Sequence, residues 1–303
     1  MSSIKNVAVV GIKWAAGALG APIFKEIIDS GKFNVTVVSR EGSKSTFPSS
    51  VKVVKADYNS IDSLTFALKG QDVVVSAVGY EGILGQSLIV DAAIAAGVKR
   101  FLPSEFGADL SNPNAAQLPV FGHKVATRKY IEEKVAAGAD ITYTYVVNGG
   151  FLDWGLDVGF LLNWREGKPE LYNGGDQIFS ATTLLAVGRA VVGVLSHPDE
   201  TKNRQVYIQS RTISQNQLLD LAKKAAPEKE WEPVIVTTAD AKKNSDEKLA
   251  KGEVTPEVMY GYLFLSVFDE AYGVRFEKLD NDLLGVPQWT DADIEAHFKK
   301  LLA

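Results

Sequence analysis

The sequence contains no cysteine and only three histidines, His123, His197 and His297, among its 303 residues. Without a thiol, the chain has no cysteine nucleophile, no thiolate-bound zinc and no iron–sulfur cluster. Three scattered histidines also argue against a histidine-rich metal site. We therefore expect chemistry without a protein-bound metal.

Basic residues and long apolar runs are also scarce. Lys and Arg number 32 against 37 Asp and Glu, a net charge of −5, whereas nucleic-acid binding needs clustered cations. No apolar stretch approaches the roughly 20 residues that span a bilayer, and the first residues lack the pattern of a signal peptide. We expect a cytoplasmic protein, monomeric or homodimeric, whose partner is a small molecule rather than a nucleic acid or a membrane.

The first half of the chain alternates short valine-rich runs with helical patterns. The strand candidates are residues 7–10, 34–39, 51–55, 73–77, 100–103 and 142–147. The helix candidates between them are residues 21–30, 61–68, 85–96 and 122–137. This alternation predicts an α/β fold, a doubly wound parallel sheet of the Rossmann, NAD(P)-binding type.

The second half has a different pattern. Aromatic residues cluster after position 150, at Phe151, Trp154, Phe160, Trp164, Tyr172 and Phe179. Later segments predict a strand at 206–209, a helix at 214–224, a polar helix or loop at 240–253 and an amphipathic helix near 256–270. We predict a dinucleotide-binding domain over residues 1–152, with sheet returns near 176–210, and a smaller interleaved substrate-binding lobe over 153–303.

A glycine-containing turn follows the first strand. It reads Gly11-Ile12-Lys13-Trp14-Ala15-Ala16-Gly17-Ala18-Leu19-Gly20, and without residues 12–14 it fits the G-x-x-G-x-x-G pattern of short-chain dehydrogenases. The pattern predicts cofactor contacts at Gly11, Gly17, Ala18, Leu19 and Gly20. Two alternatives remain open. Either the three extra residues loop outward and binding is retained, or Trp14 folds inward and fills the cleft.

The ends of the later strands supply further cofactor candidates. Arg40 follows the second strand, where an arginine accommodates the 2′-phosphate of NADPH, and Lys44 is a possible second cation. The carboxyl ends of parallel strands form the ligand crevice of such sheets. The remaining candidates at these ends are Ala77, Val78, Gly79, Ser104 and Asn148.

The segment Lys99-Arg100-Phe101-Leu102-Pro103-Ser104-Glu105-Phe106-Gly107 resembles a known family. It is similar to isoflavone reductases, pinoresinol–lariciresinol reductases, phenylcoumaran benzylic ether reductases and NmrA-like proteins, which are atypical short-chain dehydrogenases. Residues 188–192 and 203–204 look more like fungal members than plant ones. The resemblance implies an NADPH-dependent reductase of an aromatic or polyketide-like small molecule.

The same resemblance assigns the general acid–base role to Lys124, which also approaches the cofactor. A literal Tyr-x-x-x-Lys motif occurs at Tyr130 and Lys134, but it lies near the far end of the predicted helix and is interpreted as a decoy. The predicted substrate-lining residues are Glu105, Phe106, His123, Gly149, Phe151 and Trp154.

Two redox-inactive functions remain as alternatives. The expanded turn at residues 12–14 favours an isomerase, cyclase or lyase that uses the same pocket without hydride transfer. An NmrA-like regulator that senses dinucleotides is the other possibility. Lys124 favours an enzyme, because a pure sensor has no use for a proton donor.

Overall fold

A computed structural model of the chain describes residues 4–11 and 19–302. Its strands are β1 (Asn6–Val10), β2 (Asn34–Arg40), β3 (Lys52–Ala56), β4 (Val73–Ser76), β5 (Arg100–Leu102), β6 (Thr142–Val147), β7 (Gly150–Phe151), β8 (Glu170–Tyr172), β9 (Phe179–Thr182), β10 (Arg204–Tyr207), β11 (Arg211–Ile213) and β12 (Val234–Val236). Its helices are α1 (Gly20–Asp29), α2 (Ile61–Leu68), α3 (Tyr80–Ile83), α4 (Gln86–Ala95), α5 (Pro113–Ala116), α6 (Gly122–Ala136), α7 (Leu152–Asp157), α8 (Leu184–Ser196), α9 (Gln215–Ala225), α10 (Thr238–Ala250), α11 (Pro256–Phe268), α12 (Asn281–Leu284) and α13 (Asp291–Leu302).

Seven strands form one parallel sheet in the order β10-β6-β5-β4-β1-β2-β3. The central strand β1 pairs Val9 with Val37 of β2 on one side and with Val75 of β4 on the other. All three valines are fully buried, as expected for strands covered on both faces. The chain runs from β1 through β2 to β3 on one side and then crosses back to β4 on the other side of β1. This change of direction opens a crevice at the carboxyl ends of β1 and β4. The predicted doubly wound Rossmann sheet is confirmed.

Helices cover both faces of this sheet. On one face, Leu64 of α2, Ile89 of α4 and Ile131 of α6 share a core with the sheet valines. On the other, α1 packs against α8, a helix that the sequence analysis did not predict. A Cβ at Gly188 of α8 would lie 2.9 Å from the Pro22 carbonyl oxygen, so this glycine allows the close approach. Because α8 is buried over most of its surface, it lacks the polar stripe that marks a surface helix.

The second half builds two small sheets, β11-β9-β7 and β12-β8, and returns to the main sheet through β10. The predicted strand near 206–209 is β10, the helix at 214–224 is α9, and the polar segment at 240–253 is the helix α10. The prediction that the helix α11 is amphipathic is wrong, since this helix is buried on several sides. It packs both on the second-lobe aromatics and on the residues before α6. The division of the chain near residue 152 stays a prediction.

Among the described residues, no helix combines the length and the apolarity that a membrane span requires.

The buried guanidinium of Arg100, in β5, provides a test of the fold. Its nitrogens donate to Thr142 Oγ1 at 2.6 Å, Thr144 Oγ1 at 2.9 Å and Thr201 Oγ1 at 3.2 Å, and burial lowers its pKa to about 10. Arg100→Met roughly keeps the volume but removes the donor that these three buried hydroxyl oxygens share, so we expect a loss of about 2–4 kcal/mol in the free energy of unfolding.

Urea unfolding followed by circular dichroism measures this loss. Lys99→Met is the matched control, because Lys99 is exposed and forms its ion pair with the exposed Asp140. It is expected to cost less than about 1 kcal/mol. Equal stability of the two variants would contradict the anchoring role of Arg100.

Candidate active site

Gly11 ends β1 at the carboxyl edge of the sheet, where the chain leaving β4 passes against it. A Cβ on Gly11 would lie 2.6 Å from the Cα of Val78, and Gly11 has a φ of +83°. Ala77 and Val78 are buried, while Gly79 is exposed. The N–H of Gly11 donates to the Tyr58 hydroxyl at 3.3 Å, a contact that the sequence analysis did not anticipate. The close packing of these two segments fixes the floor of the crevice.

The N-terminus of α1 opens on the same edge. Its N-cap residue, Leu19, has no capping side chain, and its first turn contains no acidic residue. The free N–H groups and the positive end of the helix dipole therefore suit a phosphate group. Gly20 is the first residue of this helix and is buried. The predicted contacts at Gly17 and Ala18, and the inserted residues 12–14, lie outside the described residues.

Cations surround the loop that follows β2. Arg40 and Lys44 are both exposed. Lys55 of β3 reaches the same loop, where its ammonium donates to Ser39 Oγ at 3.3 Å and to the Ser43 carbonyl oxygen at 3.0 Å. Lys55 was not predicted, because only the pairing of β2 with β3 brings it beside Ser39. Three cations at this position fit a phosphate group on a ribose.

Lys124 lies in the first turn of α6 and points at the loop that leaves β5. Its ammonium donates to the carbonyl oxygen of Glu105 and, at 3.4 Å, to that of Phe106. Phe106 has a φ of +22°, a conformation that costs a non-glycine residue about 1–3 kcal/mol. The carbonyl oxygen of Gly107 accepts the N–H groups of Asn148 and Gly149 after β6, at 3.1 and 3.0 Å. The loop thus connects the end of β6 to Lys124.

Burial changes the pKa values of Lys124 and of the neighbouring Glu105. The side chain keeps some exposure, but loss of water around the ammonium lowers its pKa, an effect that the Glu105 carboxylate opposes and Arg128 reinforces. Burial likewise raises the pKa of Glu105, against the pull of Arg128 and Lys124. A lysine with a lowered pKa exchanges its proton more readily near neutral pH. The position therefore suits acid–base chemistry.

Buried polar atoms surround the ends of β4 to β6. The Ser104 hydroxyl donates to the Val78 carbonyl oxygen at 2.8 Å, which bridges the ends of β5 and β4. Asn148 is fully buried, and its Oδ1 has no hydrogen-bond partner among the described residues. The same holds for Ser76 Oγ and Gln86 Nε2. Such atoms need polar partners, so this edge of the sheet fits a ligand rich in polar groups.

The predicted substrate-lining residues differ in how far they are exposed. Glu105 and Phe106 are only 3% and 4% exposed, so their side chains do not face an open cleft. They are buried because the strained loop turns their carbonyl groups, rather than their side chains, toward Lys124. His123 is exposed on α6. A Cβ on Gly149 would lie 2.2 Å from the Ser180 carbonyl oxygen, so this glycine permits close packing.

Phe151 and Trp154 begin a row of rings that continues into the second half of the chain. Phe151 meets Trp154 edge to face, with centroids 6.3 Å apart, and Trp154 lies 6.4 Å from Phe160. Phe160 then stacks on Phe264 of α11 at 5.1 Å. Both Phe151 and Trp154 remain partly exposed. The row forms an apolar wall that starts at β7, shortly after the end of β6.

The literal pair of Tyr130 and Lys134 faces α4 instead of the crevice. The Tyr130 hydroxyl donates to Asp91 Oδ2 at 2.6 Å, and Lys134 forms an ion pair with Asp91 Oδ1 at 2.8 Å. Burial raises the pKa of Tyr130, and the hydrogen bond to Asp91 raises that of Lys134. Both shifts oppose proton exchange near neutral pH. The placement agrees with the interpretation of this motif as a decoy.

Comparison with known proteins gives a family match over most of the chain. The model of the NmrA-like family matches residues 3–254. The chain is 35% identical over 287 residues to oxidoreductase aprR of Aspergillus flavus, covering 93% of the chain and 94% of that protein. It is 31% identical over 302 residues to oxidoreductase poxI of Penicillium oxalicum, covering 95% of the chain and 92% of that protein.

The fold is also shared with solved structures. The structure of AtPrR2 with NADP+ and (+)pinoresinol superposes with a TM-score of 0.77, covering 99% of both chains at 23% sequence identity. At this identity the likeness concerns the fold. It agrees with the parallel sheet and its flanking helices described above.

Substitution of Gly11 tests the close approach of β1 to the segment after β4. Gly11→Ala places a Cβ 2.6 Å from Val78 backbone atoms at a positive φ, so we expect a loss of at least about 1–3 kcal/mol in stability. Gly79→Ala is the control, because its added Cβ has no described residue within 4 Å apart from its chain neighbours. Thermal unfolding measures both variants. An unchanged melting temperature for Gly11→Ala would refute the close packing.

Proposed function

The chain belongs to the NmrA-like family, and on that premise we propose that it is an NADPH-dependent reductase of an aromatic or polyketide-like small molecule, with Lys124 as general acid–base group. The observation that carries the proposal is the position of Lys124, whose ammonium is held by loop carbonyl oxygens at the carboxyl edge of the sheet. The names of both fungal relatives agree, since each is an oxidoreductase.

The cofactor proposal rests on the fit of the crevice to a phosphorylated dinucleotide. The uncapped N-terminus of α1 at Leu19 and Gly20 would hold the pyrophosphate, as helix N-termini do in this type of fold. Arg40 and Lys44 would hold the 2′-phosphate, with Lys55 beside them. The AtPrR2 structure, of the same fold, contains NADP+. When bound, NADPH supplies the hydride.

Lys124 is proposed to exchange a proton with a substrate oxygen. Its ammonium is oriented by carbonyl oxygens rather than by a carboxylate, so no strong ion pair holds the proton in place. Burial lowers its pKa, which increases the fraction of neutral amine. The lysine thus serves as donor when protonated and as acceptor when neutral.

The substrate class is inferred from the aromatic row. Phe151, Trp154 and Phe160 form a row of ring contacts that begins shortly after β6, and we propose that this row lines the substrate side of the site. Aromatic walls bind flat apolar ligands through offset or edge-to-face contacts. A small molecule with an aromatic or conjugated ring system therefore suits this wall.

Calorimetric titration with NADPH and NADH tests the cofactor proposal. Arg40→Ala removes a charge-assisted contact, so we expect NADPH affinity to fall by about tenfold or more and NADH affinity to change little. Lys69→Ala is the control, since Lys69 is an exposed lysine that follows the last residue of α2. Equal affinities of the unaltered chain for the two cofactors would refute the assignment of Arg40.

Complete absence of NADPH binding would overturn the reductase proposal. The isomerase, cyclase or lyase alternative would then lead, and recovery of binding after deletion of residues 12–14 would identify that loop as the cause. Binding without turnover on any substrate would favour the dinucleotide-sensing regulator.

Substitution of Lys124 tests the catalytic assignment. Lys124→Ala is expected to lower turnover by about 10²–10⁴-fold, because the proton donor is lost, and to leave NADPH affinity nearly intact. Turnover is measured as NADPH oxidation on whichever aromatic ketone or enone of a screening panel the unaltered chain reduces. Tyr130→Phe is the control and is expected to change turnover little. Loss of activity in Tyr130→Phe, with Lys124→Ala active, would reverse the assignment.

A further inference from the structure

Arg128 lies one helical turn after Lys124 on the same face of α6. Its Nε donates to Glu105 Oε2 at 2.5 Å, and the side chains of this ion pair are 10% and 2% exposed. The other carboxylate oxygen, Glu105 Oε1, is buried without a hydrogen-bond partner among the described residues. The carboxylate thus lies within the electrostatic range of two cations and is bonded to one of them.

The guanidinium of Arg128 is fixed from three directions. It stacks over the ring of Tyr145, with its carbon 4.5 Å from the ring centroid. Its Nη1 donates to Gln205 Oε1 at 3.3 Å, and the Gln205 amide is itself bonded to the Tyr207 hydroxyl. An arginine held by a ring, an amide and a carboxylate has little freedom to leave its partner.

Glu105 also contacts Lys124, through its backbone. The backbone carbonyl oxygen of Glu105 accepts a hydrogen bond from the Lys124 ammonium, so the residue that holds this cation through its backbone also carries a carboxylate. A buried carboxylate that turned to the ammonium would form an ion pair and keep the proton on lysine. Such a pair would oppose the acid–base role proposed for Lys124.

We propose that Arg128 is a positioning residue that holds the Glu105 carboxylate away from the Lys124 ammonium and so leaves Lys124 free to release its proton. The inference rests on the proposed function of Lys124 and deepens it. Arg128 contributes in two ways, since it occupies the carboxylate and adds a positive charge near the ammonium. The positive charge of Arg128 lowers the pKa of Lys124, whereas the Glu105 carboxylate raises it.

Three further titratable side chains, on α6 and in the loop that follows β5, make contacts of their own or are exposed. Glu132, further along α6, accepts the Tyr145 hydroxyl at 3.1 Å. Asp109, in the loop between β5 and α5, accepts a hydrogen bond from the Tyr207 hydroxyl at 3.0 Å. His123 is exposed. The Glu105 carboxylate is therefore the acidic group whose position decides how strongly Lys124 retains its proton.

The test measures the protonation of Lys124 directly, without a substrate. Only the neutral amine reacts with acetic anhydride, so the acylation rate of Lys124, followed by peptide mass spectrometry from about pH 6 to about pH 11, gives its titration midpoint. Arg128→Gln is expected to raise this midpoint by about one pH unit or more, because the carboxylate turns to Lys124. Arg128→Lys keeps the cation, so its Lys124 midpoint is expected to lie close to that of the unaltered chain.

The double variant Glu105→Gln/Arg128→Gln separates positioning from structural damage. Without the carboxylate, the loss of Arg128 cannot create the new ion pair, so the midpoint is expected to return to the unaltered value or below it. Removing both charges also avoids an unpaired buried ion, which favours correct folding. Lys129→Gln, at an exposed neighbour of Arg128, is the control and is expected to leave the midpoint unchanged.

An unchanged or lower midpoint in Arg128→Gln would overturn the proposal, as would an elevated midpoint that persists in the double variant. If Arg128→Gln does not fold, Glu105→Gln alone decides the matter, since its midpoint must fall below the unaltered value. A catalytic failure of Lys124 is distinguishable, because it would appear as normal turnover in Lys124→Ala and would leave the acylation midpoints as expected.

Discussion

The contact between the Lys124 ammonium and two backbone carbonyl oxygens connects the first turn of α6 to the loop that leaves β5. The loop adopts a strained conformation at Phe106, and strain of this kind persists only where surrounding contacts hold it. Those contacts are the ammonium on one side and the bonds from Gly107 to the end of β6 on the other. The cation and the loop therefore hold each other in place.

The parallel sheet explains why these parts meet. Every strand of the main sheet runs in the same direction, so all carboxyl ends converge on one edge and every following loop contributes there. Gly11 and Val78 show how tightly the central loops pack. The proposed cofactor contacts and Lys124 thus come from segments that are distant in sequence and adjacent in space.

Two buried arginines lie at opposite edges of the main sheet. Arg100 donates to the hydroxyl oxygens of Thr142, Thr144 and Thr201, and so joins the start of β5 to β6 and to Thr201 before β10. Arg128 lies at the carboxyl edge and is paired with the carboxylate of Glu105. The first contact stabilises the fold, whereas the second, as we propose, controls a proton. Burial makes both contacts costly to disrupt.

The sequence by itself predicted the strands and the longer helices of the first half, and it placed Lys124 at the start of one helix with Tyr130 further along it, because these features follow from local periodicity and spacing. The interpretation of the motif at Tyr130 as a decoy stays a prediction. The sequence analysis missed α8, which has no polar stripe in its sequence because most of the helix is buried. Only the tertiary structure placed Lys55 beside the loop after β2, buried the Glu105 side chain and joined it to Arg128. These features depend on which strands are neighbours and on how side chains pack between them, and neither is encoded in the spacing of residues along the chain.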